Sequence, residues 1–166
     1  MIGLDTNVLV RYITQDDPAQ AAKAAALLES LTAAEPGFIS LVVTAELAWV
    51  LERTYRLGRG PLAAVVERLL QTETLRVQND TEVFAAMLEL RHGHADFADA
   101  LIAALARSAG CRHTATFDRR ALRLAGSAGG SLEMPRAERT SPGRHRSPPS
   151  SDQRERPSGK WRATPV

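Results

Sequence analysis

The chain has 166 residues, of which 44% are hydrophobic and 5% aromatic, and it contains one cysteine. This length suits a single domain with a proper core, and a lone cysteine excludes an internal disulfide and fits a reducing cytoplasm. We expect a cytoplasmic protein without a membrane span. A strand is predicted from residue 2 without a basic leader, and no apolar run approaches the ~20 residues that cross a bilayer.

The net charge of +2 is unevenly distributed along the chain. Residues 1–125 carry 13 Lys and Arg against 15 Asp and Glu, whereas residues 126–166 carry 8 against 4. The basic character therefore belongs to the end of the chain and is poor evidence for a nucleic-acid-binding surface on the folded part. A Gly/Ser linker and a Pro-, Ser- and Arg-rich segment follow residue 125, and their composition cannot offset the entropy of ordering. We predict a folded domain over 1–125 and a disordered tail over 126–166.

The chain opens with a short apolar run, Ile2 to Leu4, which predicts a buried central strand of a parallel sheet. Asp5 follows directly, before an amphipathic helix that reaches Ile13. A carboxylate at the carboxyl end of a central strand lies where open α/β sheets bind ligands. The alternative is that Asp5 or Thr6 only caps the first helix.

Strands and helices alternate through the next ninety residues. Asp17 as cap with Pro18 after it, and Ser40 as cap further on, mark two helix starts. The periodicity predicts helices over about 18–33, 41–56, 61–70 and 80–90, and strands over 38–39 and 74–77.

Glu46 lies in the helix that follows Ser40, beside a predicted core stripe. Val43, Leu47, Val50 and Leu51 have the i, i+4, i+7 and i+8 spacing of a buried helix face. At about 100° per residue Glu46 borders that face, where a carboxylate costs free energy unless it is paired. A salt bridge to Arg53 is one explanation, and a shared metal or carboxylate site is the other.

A later helix, predicted over 95–106, carries two acids in its first turn. Asp96 fits the position of the cap, which is the purely structural interpretation. With Ala98, Leu101, Ile102 and Leu105 expected to define its buried side, Asp96 points away and Asp99 flanks Ile102. Asp99 is therefore the better candidate for a shared pocket.

The last predicted strand spans 112–117 and ends in Asp118, which repeats the pattern seen at Asp5. Asp118 as the cap of a following helix is the lesser alternative. Cys111, just before this strand, is expected to be a buried structural thiol. Asp5, Glu46, Asp99 and Asp118 thus come from two strand ends and two helices.

Clustered carboxylates repel each other unless they share protons or bind cations. Oxygen ligands without His or Cys select hard ions such as Mg²⁺ or Mn²⁺. Such ions activate water and neutralise the charge that develops on a phosphodiester. The four acids therefore favour metal-dependent phosphodiester hydrolysis, with Asn7 or Thr116 orienting the ligands by hydrogen bonds.

Four stretches of the chain resemble the PIN-domain family, and more narrowly the VapC ribonuclease toxins of prokaryotic toxin–antitoxin pairs. They are Leu4-Asp5-Thr6-Asn7, Thr44-Ala45-Glu46-Leu47, Asp96-Phe97-Ala98-Asp99-Ala100-Leu101-Ile102-Ala103 and Thr116-Phe117-Asp118. Their order and spacing match the family across residues 1 to about 125.

The resemblance implies a three-layer α/β/α fold with a central parallel sheet of order 3-2-1-4-5. It implies a Mg²⁺- or Mn²⁺-dependent endoribonuclease, held inactive by a cognate antitoxin and usually homodimeric. The family's acidic quartet is matched here by Asp5, Glu46, Asp99 and Asp118. Its further acid and its polar neighbours are matched by Asp96, Thr6, Asn7 and Thr116. The chain departs from the family after the Asp118 segment, where a glycine linker leaves the formation of the fifth strand open.

Two other functions compete with a nuclease. A non-catalytic PIN-like scaffold that binds a partner protein is suggested by the unusual end of the domain. A phosphatase that uses Asp5 as nucleophile is less favoured, because Asn7 stands where that chemistry expects a second acid. Candidates for phosphate contacts in the nuclease are Arg11, Arg53, Arg119 and Arg120.

Overall fold

A computed structural model of the chain describes residues 1–118 and 132–133. The chain divides into two units, Met1–Pro135 and Arg136–Val166, and all of the described residues belong to the first. The predicted tail thus lies largely outside the described residues, as does any helix after Asp118.

Six helices and five short strands make up the described part. In chain order they are β1 (Ile2–Gly3), α1 (Thr6–Thr14), α2 (Pro18–Ser30), β2 (Gly37–Ile39), α3 (Leu41–Arg53), α4 (Arg59–Gln71), β3 (Leu75–Val77), α5 (Asp80–His92), α6 (Phe97–Ser108), β4 (Thr114–Ala115) and β5 (Leu132–Glu133). The architecture is a three-layer α/β/α fold, as predicted. None of the helices within the described ranges is long and apolar enough to cross a membrane.

Local sequence signals explain where the helices begin. Asp17 accepts a hydrogen bond from the backbone N–H of Gln20 at 3.0 Å, and Pro18 occupies the first turn of α2. Ser40 caps α3 by accepting from the backbone N–H of Val43 at 3.3 Å. Both predicted caps are confirmed.

The strands form two parallel groups rather than one continuous sheet. β1 pairs with β2 and β2 with β3, while β4 pairs with β5. The predicted order 3-2-1-4-5 is therefore present as a 3-2-1 part and a 4-5 part, without a ladder between β1 and β4 among the described residues. The fifth strand, left open by the sequence, is formed by Leu132–Glu133, inside the segment expected to be a disordered tail.

β1 is not the buried central strand that its apolar sequence predicts. Ile2 and Gly3 are exposed, and only Leu4 of the apolar run is buried. The reason is topological, because β1 stands at one edge of the three-stranded sheet in the described part of the chain. Cys111 is also exposed, which corrects its predicted burial.

The core lies between the helices and the β1-β2-β3 sheet. α5 packs against α4 and α6, and α1 packs against α2 and α3. The largest fully buried side chains are Phe97, Leu9, Ile39, Leu47, Leu51, Leu62, Met87 and Leu90. This packing fixes the relative positions of α1, α3 and α6, which carry three of the predicted site acids or follow them directly.

Candidate active site

Asp5 lies two residues after β1 and occupies the N-cap position of α1, but its side chain makes no capping hydrogen bond. Its backbone carbonyl accepts from the N–H groups of Val8 and Leu9, and its carboxylate accepts from Asn7 Nδ2 at 3.5 Å. The simple capping explanation is therefore not realised. The exposed Asp5 carboxylate remains available at the carboxyl end of the strand.

Glu46 is held by Thr6. The Thr6 hydroxyl donates to Glu46 Oε2 over 2.5 Å, and the Thr6 residue is 4% exposed. The salt bridge to Arg53, one of the two explanations that the sequence left open, does not form in the described structure. The other explanation, a shared metal or carboxylate site, is supported because Glu46 is hydrogen-bonded to Thr6, the residue next to Asp5.

The burial expected for Glu46 is wrong. Glu46 is exposed, whereas Leu47 and Leu51 of the predicted core stripe are buried and Val43 and Val50 pack against the core. The reason is that the buried face of α3 is centred on Leu47, Ala48 and Leu51, which turns Glu46 outward.

Asp96 has the capping role that the sequence predicts for it, and Asp99 lies in the first turn of the same helix. Asp96 caps the helix by accepting from the backbone N–H of Asp99 at 2.9 Å. Asp99 is half-buried, and burial raises the pKa of its carboxyl above the ordinary value. The negative charges of Asp96 and Asp118 raise the pKa of Asp99 further.

The buried side of α6 differs from the predicted one at Ala98 and Ile102. Ala98 and Ile102 are exposed, and Ile102 keeps 53% of its surface in solvent. The buried side of α6 is formed by Phe97, Ala100, Leu101, Ala103 and Ala104. Two apolar residues at an i, i+4 spacing thus face outward, and periodicity alone does not show this in a helix that is apolar nearly all round.

Asp118 follows β4, and its backbone N–H donates to Thr116 Oγ1 at 3.0 Å. Its charge acts on Asp99, so the acid after the fourth strand and the acid in α6 belong to one electrostatic group. Thr116 thus holds the backbone of Asp118 just after the strand. The structure thus shows one pair, Thr6 with Glu46, and one acidic group, Asp96 with Asp99 and Asp118.

The donor chemistry of these residues fits Mg²⁺ or Mn²⁺, which prefer carboxylate oxygens. Over residues 1–118, however, no three His, Cys, Asp or Glu side chains lie close enough together to hold a metal ion. The residues that would hold such an ion are Asp5, Glu46, Asp99 and Asp118. Of these, Asp118 acts by its charge on Asp99. Glu46 accepts from Thr6 and Asp5 accepts from Asn7, two residues that follow each other in α1.

The arginines proposed for phosphate contacts differ in availability. Arg11 is committed to Asp16 at 2.6 Å and to Gln20 at 3.0 Å, so it is a structural residue. Arg53 is exposed and has no hydrogen-bond or ion-pair partner in the described part of the chain. Arg119 and Arg120 lie outside the described residues.

A family model for the PIN domain matches residues 2–127 of the chain. The chain belongs to the PIN-domain family. PIN domains are generally nucleases, and the matched span contains all four acids of the candidate site. No curated protein matches the chain.

Proposed function

We propose that this PIN-domain protein is a Mg²⁺- or Mn²⁺-dependent endoribonuclease that acts as the toxin of a toxin–antitoxin pair. The observation that carries the proposal is the PIN-family match over residues 2–127, because PIN domains are generally nucleases. The four stretches that resemble VapC toxins supply the narrower assignment. The substrate is RNA, and the reaction is hydrolysis of its phosphodiester bonds.

The residues of the chain divide the work as follows. Asp5, Glu46, Asp99 and Asp118 would hold the divalent ion, and a bound ion would activate water and neutralise charge on the phosphodiester. Glu46, oriented by the Thr6 hydroxyl, accepts a proton from the attacking water. Asp96 acts indirectly, because its cap fixes the first turn of the helix that carries Asp99.

The raised pKa of Asp99 supports an ion-binding role. Burial and two nearby acids disfavour its ionised form in the free protein. A divalent cation removes that penalty, so binding of the ion and ionisation of Asp99 reinforce each other.

The decisive experiment is cleavage of a labelled RNA by the full chain with Mg²⁺ or Mn²⁺, and then with excess chelator. We expect cleavage with the ions, none with the chelator, and none in Asp5→Asn, whose fold is retained because Asp5 makes no side-chain cap. The matched pair is Glu46→Gln against Glu52→Gln, two identical changes in α3 of which only the first touches the candidate site. Cleavage by Asp5→Asn at the wild-type rate would remove this residue from the mechanism.

The partners are tested separately from the chemistry. Expression of the chain alone should arrest growth, and co-expression of a small neighbouring gene that encodes the antitoxin should relieve the arrest. For the homodimer, sedimentation equilibrium should give about twice the 18.0 kDa of one chain. A chain that cuts RNA but does not arrest growth would be a nuclease without the toxin role.

A further inference from the structure

α3 has a second face that is not buried in the core. Its buried residues are Thr44, Leu47, Ala48 and Leu51. On the opposite side Val42, Glu46, Trp49 and Arg53 have the spacing i, i+4, i+7 and i+11, and all four are exposed. At about 100° per residue they fall within an arc of about 60°, and they span about 16 Å of the helix. We call these four residues the outer face of α3.

The outer face combines two large apolar side chains with two charges. Trp49 keeps 58% and Val42 75% of their surface in solvent. In the described part of the chain the indole N–H of Trp49 makes no hydrogen bond, and the Arg53 guanidinium has no partner. Single exposed apolar residues are ordinary on protein surfaces, so their exposure alone indicates nothing.

The position of Trp49 close to Glu46 is what suggests a function for the outer face. Trp49 is not among the predicted site residues, yet it follows Glu46 by three positions, about 4.5 Å along the helix axis. Glu46 is fixed by Thr6, so the carboxylate and the indole belong to the same rigid element. Arg53 follows Trp49 by four positions on the same side.

We propose that the outer face of α3 binds an unpaired nucleotide of the RNA next to the bond that is cut. The Trp49 indole stacks on the base, Val42 extends the apolar contact, and Arg53 binds a backbone phosphate. The proposal rests on the proposed nuclease function and assigns three residues outside the acidic site to binding of the substrate RNA. A base inside a duplex is already stacked on its neighbours, so it cannot present a full face to the indole.

The combination of an aromatic side chain and a guanidinium favours RNA over a protein as the molecule that binds the outer face. The unpartnered cation complements a phosphate, and the indole stacks on any of the four bases. A second copy of the chain or another protein would cover Val42 and Trp49 without any need for an unpaired base. These occupants therefore give different results in the test.

The test uses intrinsic fluorescence, because the chain contains two tryptophans, Trp49 and Trp161. Trp161→Phe leaves Trp49 as the sole reporter, and Asp5→Asn with chelator keeps the RNA intact during titration. We expect saturable quenching by a single-stranded oligoribonucleotide and little quenching by the same strand annealed to its complement. Trp49→Leu should weaken binding by about tenfold or more, measured by anisotropy of the labelled RNA.

Matched controls separate the outer face from general surface effects. Phe84→Leu replaces another exposed aromatic, 46% exposed on α5, and should leave RNA binding unchanged. Arg53→Gln should weaken binding, whereas Arg68→Gln, the same change on the exposed surface of α4, should not. In the active chain Trp49→Leu should raise KM for RNA with little change in kcat, a split that a merely structural role would not produce.

Each outcome decides something. If the wild-type chain cuts RNA but Trp49 is not quenched, or is quenched equally by duplex, the stacking proposal is overturned and the nuclease stands. If Trp49 fluorescence instead depends on protein concentration without RNA, the outer face is an interface between copies and the proposal is overturned. Quenching by single strands in a chain that cuts no RNA would uphold the binding surface and contradict the proposed nuclease.

Discussion

Thr6 and Glu46 are separated by 40 residues and joined by a hydrogen bond of 2.5 Å from the threonine hydroxyl to Glu46 Oε2. At the other end of α1, the Tyr55 hydroxyl donates to Asp16 at 2.6 Å over a separation of 39 residues. Because both contacts keep nearly the same separation, α1 and the second half of α3 run side by side in the same direction. The first contact belongs to the candidate site and the second to the scaffold.

Replacing Thr6 tests whether its hydroxyl orients Glu46. Thr6→Val keeps the shape of this buried side chain and removes the donor, so we expect RNA cleavage to fall by about tenfold or more. The free energy of unfolding should fall by only about 1 kcal/mol, because water can reach the exposed Glu46 carboxylate. Thr6→Ser restores the hydroxyl and should restore the rate. Wild-type cleavage by Thr6→Val would show that Glu46 needs no such support.

Asp99 should make the metal-free protein less stable as the pH rises. Its folded-state pKa is raised, first by burial and then by Asp96 and Asp118, so the folded protein holds its proton more tightly than the unfolded chain. Stability is therefore lost as the pH rises from the ordinary aspartate range through the raised value. Asp99→Asn should remove this loss, so the Tm of the variant should gain on that of the wild type as the pH rises above the ordinary aspartate range in chelator.

The wild type and Asp99→Asn should also differ in how their Tm responds to Mn²⁺. Mn²⁺ should raise the Tm of the wild type in a saturable manner, because a ligand that binds only the folded state stabilises it. Asp99→Asn should show a much smaller shift in Tm. The control is a buffer of the same ionic strength without Mn²⁺. A wild-type protein with no saturable shift would favour a scaffold without a metal site.

Asp16 connects α1 with Tyr55, which lies just after α3, and should make this region sensitive to acid. Tyr55, which donates at 2.6 Å, and then Arg11 lower the pKa of the Asp16 carboxyl far below its usual range. A depressed folded-state pKa contributes stability above the ordinary aspartate value and loses it as the pH falls further.

A double-mutant cycle measures this link. Tyr55→Phe and Asp16→Asn should each lower the Tm at neutral pH, and the double variant should lose less than their sum. The difference between Asp16→Asn and the wild type should shrink as the pH is lowered. RNA cleavage should be unaffected, because Asp16 and Tyr55 lie at the end of α1 remote from Asp5. Strictly additive losses would mean that the hydrogen bond is not a stabilising contact.

Gly37 in the middle strand of the sheet should not tolerate a side chain. A Cβ there would lie 2.8 Å from Leu31 Cδ1 and from Leu4 Cδ1, and 3.0 Å from Leu75 Cδ2. We expect Gly37→Ala to lower the free energy of unfolding by about 1–3 kcal/mol, measured by urea denaturation. Gly3→Ala in β1 is the matched control, since nothing lies within 4 Å of its Cβ. Equal effects of the two changes would contradict close packing at Gly37.

The sequence by itself determined the order of the elements and most helix starts. Caps such as Asp17, Ser40 and Asp96 act through backbone groups two or three residues away, so local sequence is enough to identify them. The PIN resemblance over residues 1 to about 125 agrees with the family match over 2–127.

Only the tertiary structure decided which faces are covered and which side chains meet. Burial depends on what packs against an element, so the apolar Ile2 and Ile102 are exposed while Thr6 is buried. The partner of Glu46 proved to be Thr6, 40 residues away, rather than Arg53 on its own helix. Periodicity describes one helix or strand at a time, whereas these contacts are set by how α1, α3 and α6 pack together around the core.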